Sequence, residues 1–277
     1  MYPVDSETRL YCLIGNPVAK SLSPILHNAA FRALGINAVY LAFCVSDPAA
    51  AVQGIRSLPI HGVSITIPHK TVILPYVDDL EPLAQAMGAV NTLYWQEERL
   101  IGANTDGLGA VLALKEKTEL YGRRCLILGA GGAARAIAFA LKTEGCQVVL
   151  TNRTGEKGRR LAEEIGVDWV PFGEVIRDKA DILIQATSVG MYPDAEESLV
   201  PRQSLASFPI VMDIVYKPLE TRLLREARQE GCLAIDGLNM LIYQAAAQFR
   251  LWTEKEAPIS VMRREADAYL SGKGVSR

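Results

Sequence analysis

Short apolar runs alternate with longer segments of helical periodicity along the first hundred residues. Apolar runs rich in β-branched residues predict strands, and apolar residues three and four positions apart predict amphipathic helices. The predicted strands are 10–15, 38–44 and 62–67, then a hairpin of 89–95 and 99–103, and the predicted helices are 23–34 and 48–58. This alternation of strand and helix implies a mostly parallel sheet.

The segment Asn104–Gly107 interrupts the pattern, and the alternation resumes after it. Strands are predicted at 125–128, 147–151, 181–185, 210–213 and 232–235, and helices at 106–117, 133–144, 156–165, 221–230 and 259–270, with one more that follows Met240 and ends near Trp252. The polar, proline-containing segment 191–207 is typical of a long surface loop. A chain of 277 residues is long enough for two domains.

The segment from Gly129 to Ala134 carries the most informative local motif. It follows a predicted strand and opens a predicted helix, which is the context in which G-x-G-x-x-(G/A) binds a dinucleotide. Gly129 permits a tight turn, Gly131 lets a pyrophosphate approach the backbone, and Ala134 lets helix and strand pack closely. The N–H groups at the start of the helix attract phosphates. The alternative is an ordinary strand-to-helix turn of an α/β protein.

The residues that end the next predicted strand, 147–151, favour a dinucleotide site and indicate which dinucleotide it binds. An NAD site usually has an acidic residue at the end of this strand, which binds the ribose 2′-hydroxyl. Here the strand ends in Asn152-Arg153-Thr154, without an acid. The planar fork of Arg153 can bind a 2′-phosphate. The hypothesis is therefore NADP(H), and the alternative is that Arg153 is a solvated loop residue.

Composition and charge exclude several classes of protein. With 49% hydrophobic and 22% charged residues the chain is globular, and its net charge of −2 comes from well-mixed residues, so nucleic acid and membrane surfaces are not expected partners. The N-terminus lacks the features of a signal peptide, and no apolar stretch approaches the ~20 residues of a membrane span. Five scattered cysteines without CxxC spacing fit reduced thiols, and we expect a cytoplasmic protein.

Lys70 and Asp106 are candidates for acid–base chemistry. Lys70 lies just beyond the carboxyl end of a predicted strand, where open α/β sheets bind their ligands. A lysine can donate a proton to a carbonyl oxygen as hydride arrives at the carbon. Asp106 is the best partner, and the two would titrate as one unit. The alternative is an exposed lysine and an aspartate that caps a helix, since most residues of both types lie at the surface.

Other polar residues stand at positions that suggest binding. Ser21 and Ser23, next to a helix start, could hold a carboxylate, although Ser23 could simply be the N-cap residue with Pro24 in the first turn. Asn91 lies in a predicted strand, where asparagine is depleted. Gln244 lies in an otherwise apolar helix, so both amides are structural or bind a ligand. The three histidines do not form a metal-ligand cluster, and no metal site is predicted.

Eight motifs occur in a fixed order: SLSPILHN (21–28), SITIPHK (64–70), GAVNTL (88–93), GANTDGLG (102–109), GAGGAA (129–134), NRT (152–154), ATSVGM (186–191) and DGLNMLIYQAA (236–246). Through them the chain resembles the shikimate dehydrogenase family over essentially its full length. The resemblance implies an α/β substrate-binding domain of residues 1–105, completed by C-terminal helices of 238–277. It implies a Rossmann-type NADP-binding domain of residues 106–237.

The resemblance also implies a reaction and a set of site residues. The reaction is the reversible NADPH-dependent reduction of 3-dehydroshikimate to shikimate, a step toward chorismate and the aromatic amino acids, with Lys70 as acid/base held by Asp106. The implied substrate-binding residues are Ser21, Ser23, Thr66, Lys70, Asn91, Asp106, Tyr216 and Gln244. The implied cofactor-binding residues are Gly129, Ala130, Gly131, Gly132, Ala133, Asn152, Arg153, Thr154, Gly155, Glu156, Lys157, Ile214, Gly237 and Met240.

Three other functions remain open at this point. A quinate/shikimate dehydrogenase that prefers NAD is opposed by Arg153 and the missing acid. A non-catalytic NADP-binding sensor would have no need of the pair Lys70 and Asp106. An S-adenosylmethionine methyltransferase would want an acid near Asn152. The expected partners are the small-molecule substrate and cofactor, and the protein is expected to be a monomer or a homodimer.

Overall fold

The computed structural model describes residues 4–177 and 179–272, and the chain divides into two compact units. The first unit runs to Thr105 and resumes at Gln244, and the second runs from Asp106 to Tyr243. The first boundary coincides with the one expected after residue 105. The second lies six residues beyond the expected position, inside a helix. Residues 273–277 of the expected C-terminal segment lie outside the described residues.

Strands and helices are numbered in chain order. The strands are β1 (Arg9–Gly15), β2 (Ala38–Cys44), β3 (Ile60–Ile65), β4 (Asp79–Leu80), β5 (Thr92–Gln96), β6 (Arg99–Ala103), β7 (Arg124–Leu128), β8 (Gln147–Thr151), β9 (Asp168–Trp169), β10 (Ile182–Gln185), β11 (Ile210–Asp213) and β12 (Leu233–Ile235). The helices are α1 (Ser23–Ala33), α2 (Pro48–Ser57), α3 (Pro82–Met87), α4 (Asp106–Lys115), α5 (Gly132–Thr143), α6 (Gly155–Ile165), α7 (Arg202–Leu205), α8 (Arg222–Gln229), α9 (Gly237–Thr253) and α10 (Ile259–Leu270). Short 3₁₀ helices cover Leu74–Tyr76 and Phe172–Arg177.

The first unit contains a mixed six-stranded sheet of order β2-β1-β3-β5-β6-β4. β1 pairs in parallel with β2 and β3, as the alternation of strand and helix predicts. β5 is antiparallel to both β3 and β6. β5 and β6 are joined by a two-residue turn in which Glu97 has a φ of 55°, and so tight a turn requires antiparallel strands. Parallel pairing therefore covers only part of this sheet.

The second unit contains a parallel six-stranded sheet of order β12-β11-β10-β7-β8-β9. Counted from β7, this is the strand order 6-5-4-1-2-3 of the Rossmann fold. β7 has the apolar composition of a strand covered on both faces. Cys125 and Ile127 belong to one hydrophobic cluster, and Leu126 and Leu128 belong to the other. The unit is thus a doubly wound α/β domain, and its ligand-binding edge is expected at the carboxyl ends of these strands.

Two sequence predictions fail where short elements bury their side chains. The segment 191–207 is not entirely a surface loop, because Val200 and Leu205 are 2% and 0% exposed and pack into the second unit's core. Leu205 ends the four-residue helix α7. The short elements α3, β4 and β9 are also absent from the sequence prediction, because two to six residues are too few to show a period. Among the described residues, none of the helices is both long and apolar enough to cross a membrane.

Gly107 offers a test of the packing of α4 on α5. A β-carbon at this position would lie 2.6 Å from the carbonyl oxygen of Ala136 and 2.8 Å from the β-carbon of Ala140. Gly107→Ala should therefore lower the free energy of unfolding by roughly 1–3 kcal/mol. Gly54, inside α2, is the matched control, because a β-carbon there meets nothing within 4 Å. Gly54→Ala should be neutral or stabilising by up to about 1 kcal/mol in the same denaturant titration. Equal effects of the two substitutions would contradict the packing described.

Candidate active site

Ser21 and Ser23 form a pair of hydroxyl groups at the start of α1. The Oγ of Ser21 accepts a hydrogen bond from the backbone N–H of Ser23 at 3.2 Å and donates one to the Oγ of Ser23, also at 3.2 Å. The predicted N-cap role of Ser23 is wrong: Ser23 is already the first helical residue, and Leu22 is the N-cap residue without a side-chain hydrogen bond. The two hydroxyls are thus held together beside the helix start, which suits an anion.

Thr66 and Lys70 lie in the turn that follows β3. Buried His69 fixes this turn, because its Nε2 lies 2.8 Å from the carbonyl oxygen of Val45. The carbonyl oxygen of Lys70 accepts a hydrogen bond of 2.8 Å from the N–H of Val90. This bond connects the main chain of Lys70 to the segment that leads to Asn91. Lys70 itself is half-buried.

Asn91 is the centre of a buried polar cluster in the first unit and is 2% exposed. Its Nδ2 donates to Oγ1 of Thr105 at 3.0 Å and to Oε1 of Gln244 at 3.3 Å. Its Oδ1 accepts from the N–H of Thr105 at 2.8 Å and from Oγ1 of Thr92 at 2.7 Å. The two amides that the sequence singled out, Asn91 and Gln244, are therefore in direct contact.

A second layer of polar side chains supports Asn91, and sequence reasoning missed it. Gln248, 1% exposed, donates from Nε2 to the carbonyl oxygen of Asn91 at 3.0 Å and to Oγ1 of Thr92 at 2.9 Å. Its Oε1 accepts a bond of 2.9 Å from Ser64, whose Oγ in turn accepts from Tyr40 at 2.7 Å. The available signal was the position of Gln248, one helical turn after Gln244 on the same face of α9.

The glycine turn after β7 fits the phosphates of a dinucleotide. Gly129 has a φ of 128°, and a β-carbon there would lie 2.9 Å from the carbonyl oxygen of Ala186, so only glycine suits this position. At Gly131 and Gly132 a β-carbon would meet nothing within 4 Å, which leaves the approach to the backbone open. Gly131 is the N-cap residue of α5, and no side chain caps this helix. Its first N–H groups are therefore suited to an anion.

The turn after β8 carries Arg153 at the surface. The Nδ2 of Asn152 donates a hydrogen bond of 3.0 Å to the carbonyl oxygen of Thr154, which closes the turn. Arg153 is exposed. The next three residues predicted to contact the cofactor, Gly155, Glu156 and Lys157, form the first turn of α6. This part of the second unit thus combines a cation with a helix N-terminus, which suits a phosphate.

Asp213 orders the two loops at the ends of β10 and β11. This carboxylate is 1% exposed and accepts hydrogen bonds from the N–H of Val215 at 3.0 Å and from Oγ1 of Thr221 at 2.7 Å. The Nε2 of Gln185 lies 3.4 Å from the same carboxylate and donates to the carbonyl oxygen of Val189 at 2.9 Å. Burial raises the pKa of Asp213 to about 6, although the bond from Val215 opposes this.

Ile214, Tyr216 and Gly237 lie beside this ordered carboxylate. A β-carbon on Gly237 would lie only 2.2 Å from the carbonyl oxygen of Ile214, so this approach of two backbone segments requires glycine. Tyr216 is half-buried, and burial raises its pKa. Met240 is 7% exposed and belongs to the core of the second unit.

The predicted site residues divide between the two units. Ser21, Ser23, Thr66, Lys70, Asn91 and Gln244 belong to the first unit, whereas Asp106, Tyr216 and all the predicted cofactor contacts belong to the second. Asp106 is the first residue of α4 and is 7% exposed. The pairing of Lys70 with Asp106 stays a prediction. In the part of the chain that the structure describes, no group of three or more His, Cys, Asp or Glu could hold a metal ion.

Known proteins match both units. Residues 13–93 match the shikimate dehydrogenase substrate binding domain, residues 111–215 match shikimate / quinate 5-dehydrogenase, and residues 237–266 match the shikimate 5'-dehydrogenase C-terminal domain. The NADP(+) shikimate dehydrogenase of Pyrococcus furiosus is 49% identical over 270 residues, which cover 96% of this chain and 98% of that relative. The chain belongs to the shikimate dehydrogenase family.

Solved structures of this family share the fold of both units. A crystal structure of shikimate dehydrogenase in complex with NADP+ aligns with a TM-score of 0.93 and 41% sequence identity. The alignment covers 97% of this chain and 98% of that chain. The Thermus thermophilus enzyme, crystallised with NADP(H) and shikimate, has a TM-score of 0.87 and 39% identity and covers 94% and 99% of the two chains. The fold class expected from the sequence is thereby confirmed: an N-terminal substrate domain and a Rossmann-type NADP-binding domain.

Asp213 makes the stability of the protein depend on pH in a defined direction. Its pKa of about 6 lies above its ordinary value of 3.8, so the folded state binds this proton more tightly than the unfolded state. Its contribution to stability is therefore fully present below pH about 4 and is lost as the pH rises through about 6. Asp213→Asn keeps the shape of the side chain but cannot titrate. Between pH 4 and 7, the variant should gain stability relative to the wild type, by up to about 3 kcal/mol.

The test is to measure the melting temperature of both proteins in steps across this range. The difference between them should grow with pH. A difference that stays constant, or that changes in the opposite direction, would show that the Asp213 carboxyl does not titrate as described.

Proposed function

We propose that this protein catalyses the reversible NADPH-dependent reduction of 3-dehydroshikimate to shikimate, a step toward chorismate and the aromatic amino acids. The observation that carries the proposal is the buried cluster of Asn91, Thr105 and Gln244, in the same unit as Lys70 and the serine pair. A polyhydroxylated ring acid needs several short polar side chains. A site that forms a hydrogen bond with each hydroxyl discriminates against analogues that lack one.

The substrate would be held by its two ends. Ser21 and Ser23 would bind the carboxylate, with Tyr216 adding a contact, and the ring hydroxyls would bind Thr66, Asn91, Asp106 and Gln244. The contact between Asn91 and Gln244 supports this assignment, because it fixes both amides before a ligand arrives. Such preorganisation lowers the entropy lost on binding.

The second unit would hold NADP(H), which supplies the hydride when bound. The open approach to Gly131 and Gly132 and the uncapped start of α5 fit its pyrophosphate. Arg153, with Asn152 and Thr154, would bind the 2′-phosphate, with contacts from residues 155–157. The backbone around Ile214, Gly237 and Met240 would add further contacts to the nucleotide.

Lys70 would move the proton. Its ammonium group would protonate the forming alkoxide in the reduction and take the proton back in the reverse direction. Asp106 would orient this ammonium group and bind a ring hydroxyl.

Lys70→Met tests the proton donor. The variant keeps an unbranched side chain of nearly the same length but lacks the ammonium group, so kcat should fall by roughly 10²–10⁴-fold. Steady-state rates of NADP+ reduction by shikimate give this value, and the affinity for NADPH, measured by fluorescence titration, should stay unchanged. Lys255→Met, at an exposed lysine in the same unit, is the control and should keep normal turnover. Near-normal turnover of Lys70→Met would exclude Lys70 as the proton donor.

Arg153→Ala tests the cofactor assignment. Loss of the guanidinium should raise the KM for NADPH by roughly 10- to 100-fold, because a hydrogen bond to a charged group is worth about 1.5–3 kcal/mol. The KM for NADH should change little, since NADH has no 2′-phosphate. Arg160→Ala is the control: this exposed arginine of α6 bonds Glu164 and should leave both constants unaltered. Equal increases for the two cofactors in Arg153→Ala would remove the argument for a 2′-phosphate site.

A further inference from the structure

Trp169, which no sequence motif singled out, lies against the segment proposed to bind the 2′-phosphate. It ends β9, which pairs in parallel with β8 so that Leu150 faces Trp169 in register. The indole is half-buried, and its Nε1 is buried without a hydrogen-bond partner among the residues that the structure describes. Nothing in the proposed chemistry uses this side chain.

The indole packs on the first turns of α6 at two glycines. A β-carbon on Gly158 would lie 2.7 Å from the indole Nε1, and one on Gly155 would lie 3.4 Å from its Cζ2. The guanidinium carbon of Arg159 lies 4.8 Å from the ring centroid, which is a cation–π contact. The two glycines therefore leave the space that the ring fills, and Arg159 covers it.

Gly158 connects this packing to the turn that carries Arg153. The carbonyl oxygen of Thr154 accepts hydrogen bonds from the N–H of Gly158 at 3.3 Å and from Nδ2 of Asn152 at 3.0 Å. A β-carbon on Gly158, which would lie 2.7 Å from the indole Nε1, would also lie 3.1 Å from the β-carbon of Asn152. The ring, Gly158 and the turn 152–154 thus form one packed assembly.

We propose that Trp169 is a positioning residue for cofactor specificity: by packing on Gly158 it fixes the turn 152–154 and aims Arg153 at the 2′-phosphate of NADP(H). The inference rests on the proposed NADP(H) site. Arg153 is exposed, so the direction of its guanidinium depends on the backbone of this turn. Without the indole the turn loses its support, and the 2′-phosphate loses its aligned partner. A nucleotide without a 2′-phosphate makes no such contact, so the loss of the indole leaves its binding affinity unchanged.

The experiment measures the affinity of the full-length protein for adenosine 2′,5′-bisphosphate and for 5′-AMP by isothermal titration calorimetry. Trp169→Ala should weaken binding of the bisphosphate by about tenfold and leave binding of 5′-AMP within about twofold. Trp169→Phe, which keeps a flat ring on the glycines, should retain most of the wild-type preference. If Trp169 had a merely structural role, Trp169→Ala would weaken the binding of both nucleotides equally or of neither.

Gly158→Ala provides a second variant in case Trp169→Ala does not fold. Its β-carbon displaces the indole without removing it, and it should reproduce the selective loss. Gly173→Ala is the matched control, since a β-carbon there meets nothing within 4 Å and the preference should not change.

The outcomes separate the inference from the proposed function. Wild-type protein that binds the two nucleotides equally would contradict the proposed 2′-phosphate site itself. A wild-type preference that survives unchanged in Trp169→Ala and Gly158→Ala would overturn the role of Trp169 while leaving the proposed function intact. Equal loss of both ligands would also overturn it.

Discussion

The buried amide of Asn91 is the constraint on which the first unit's site depends. Both atoms of its amide group are engaged, with Thr92, Thr105 and Gln244 as partners. A buried polar group without a partner costs about 1–3 kcal/mol, so alternative arrangements of these segments are disfavoured. The start of β5, the end of β6 and the middle of α9 are therefore held in one geometry. Lys70 is linked to the same arrangement through its carbonyl oxygen and Val90.

A comparable constraint operates in the second unit, where Asp213 and Gln185 order neighbouring loops. The strand order of a Rossmann sheet brings the ends of β7, β8, β10 and β11 to one edge. Glycines at 129 and 237 allow the backbone to approach closely where a β-carbon would collide. The polar groups and these two glycines fix the loops, whereas the open approach to the backbone lies at Gly131 and Gly132.

Most of the fold could be predicted because its longer elements either contain a short apolar run or show a helical period. β7, β8 and β11 each contain an apolar run, and α5 follows its glycine turn directly. The short helices α3 and α7 escape such reasoning, since four to six residues show no period. Buried Leu205 was predicted to be part of a polar loop because most residues around it are polar, and only tertiary packing reveals its role.

The candidate site could be predicted in part, and for similar reasons. Asn91 and Gln244 stood out because an amide is unusual in an apolar context, and the structure joins them. Gln248 gave the same signal one turn later but lay outside any recognised motif. The capping role of Ser23 was wrong because the helix begins one residue earlier than expected, at Ser23 itself with Leu22 as the N-cap residue, and sequence spacing does not fix a helix start to one residue. Trp169 escaped prediction because it lies outside every motif, and only the tertiary structure shows that it packs on Gly155 and Gly158.

The most direct test of the whole account is the steady-state rate of the purified protein with shikimate, followed by the absorbance of the reduced nicotinamide. Parallel assays would pair NADP+ and NAD+ with shikimate and with quinate. We expect rapid reduction of NADP+ by shikimate, with much lower kcat/KM for NAD+ and for quinate. No reduction of NADP+ by shikimate, or a preference for NAD+ and quinate, would contradict it.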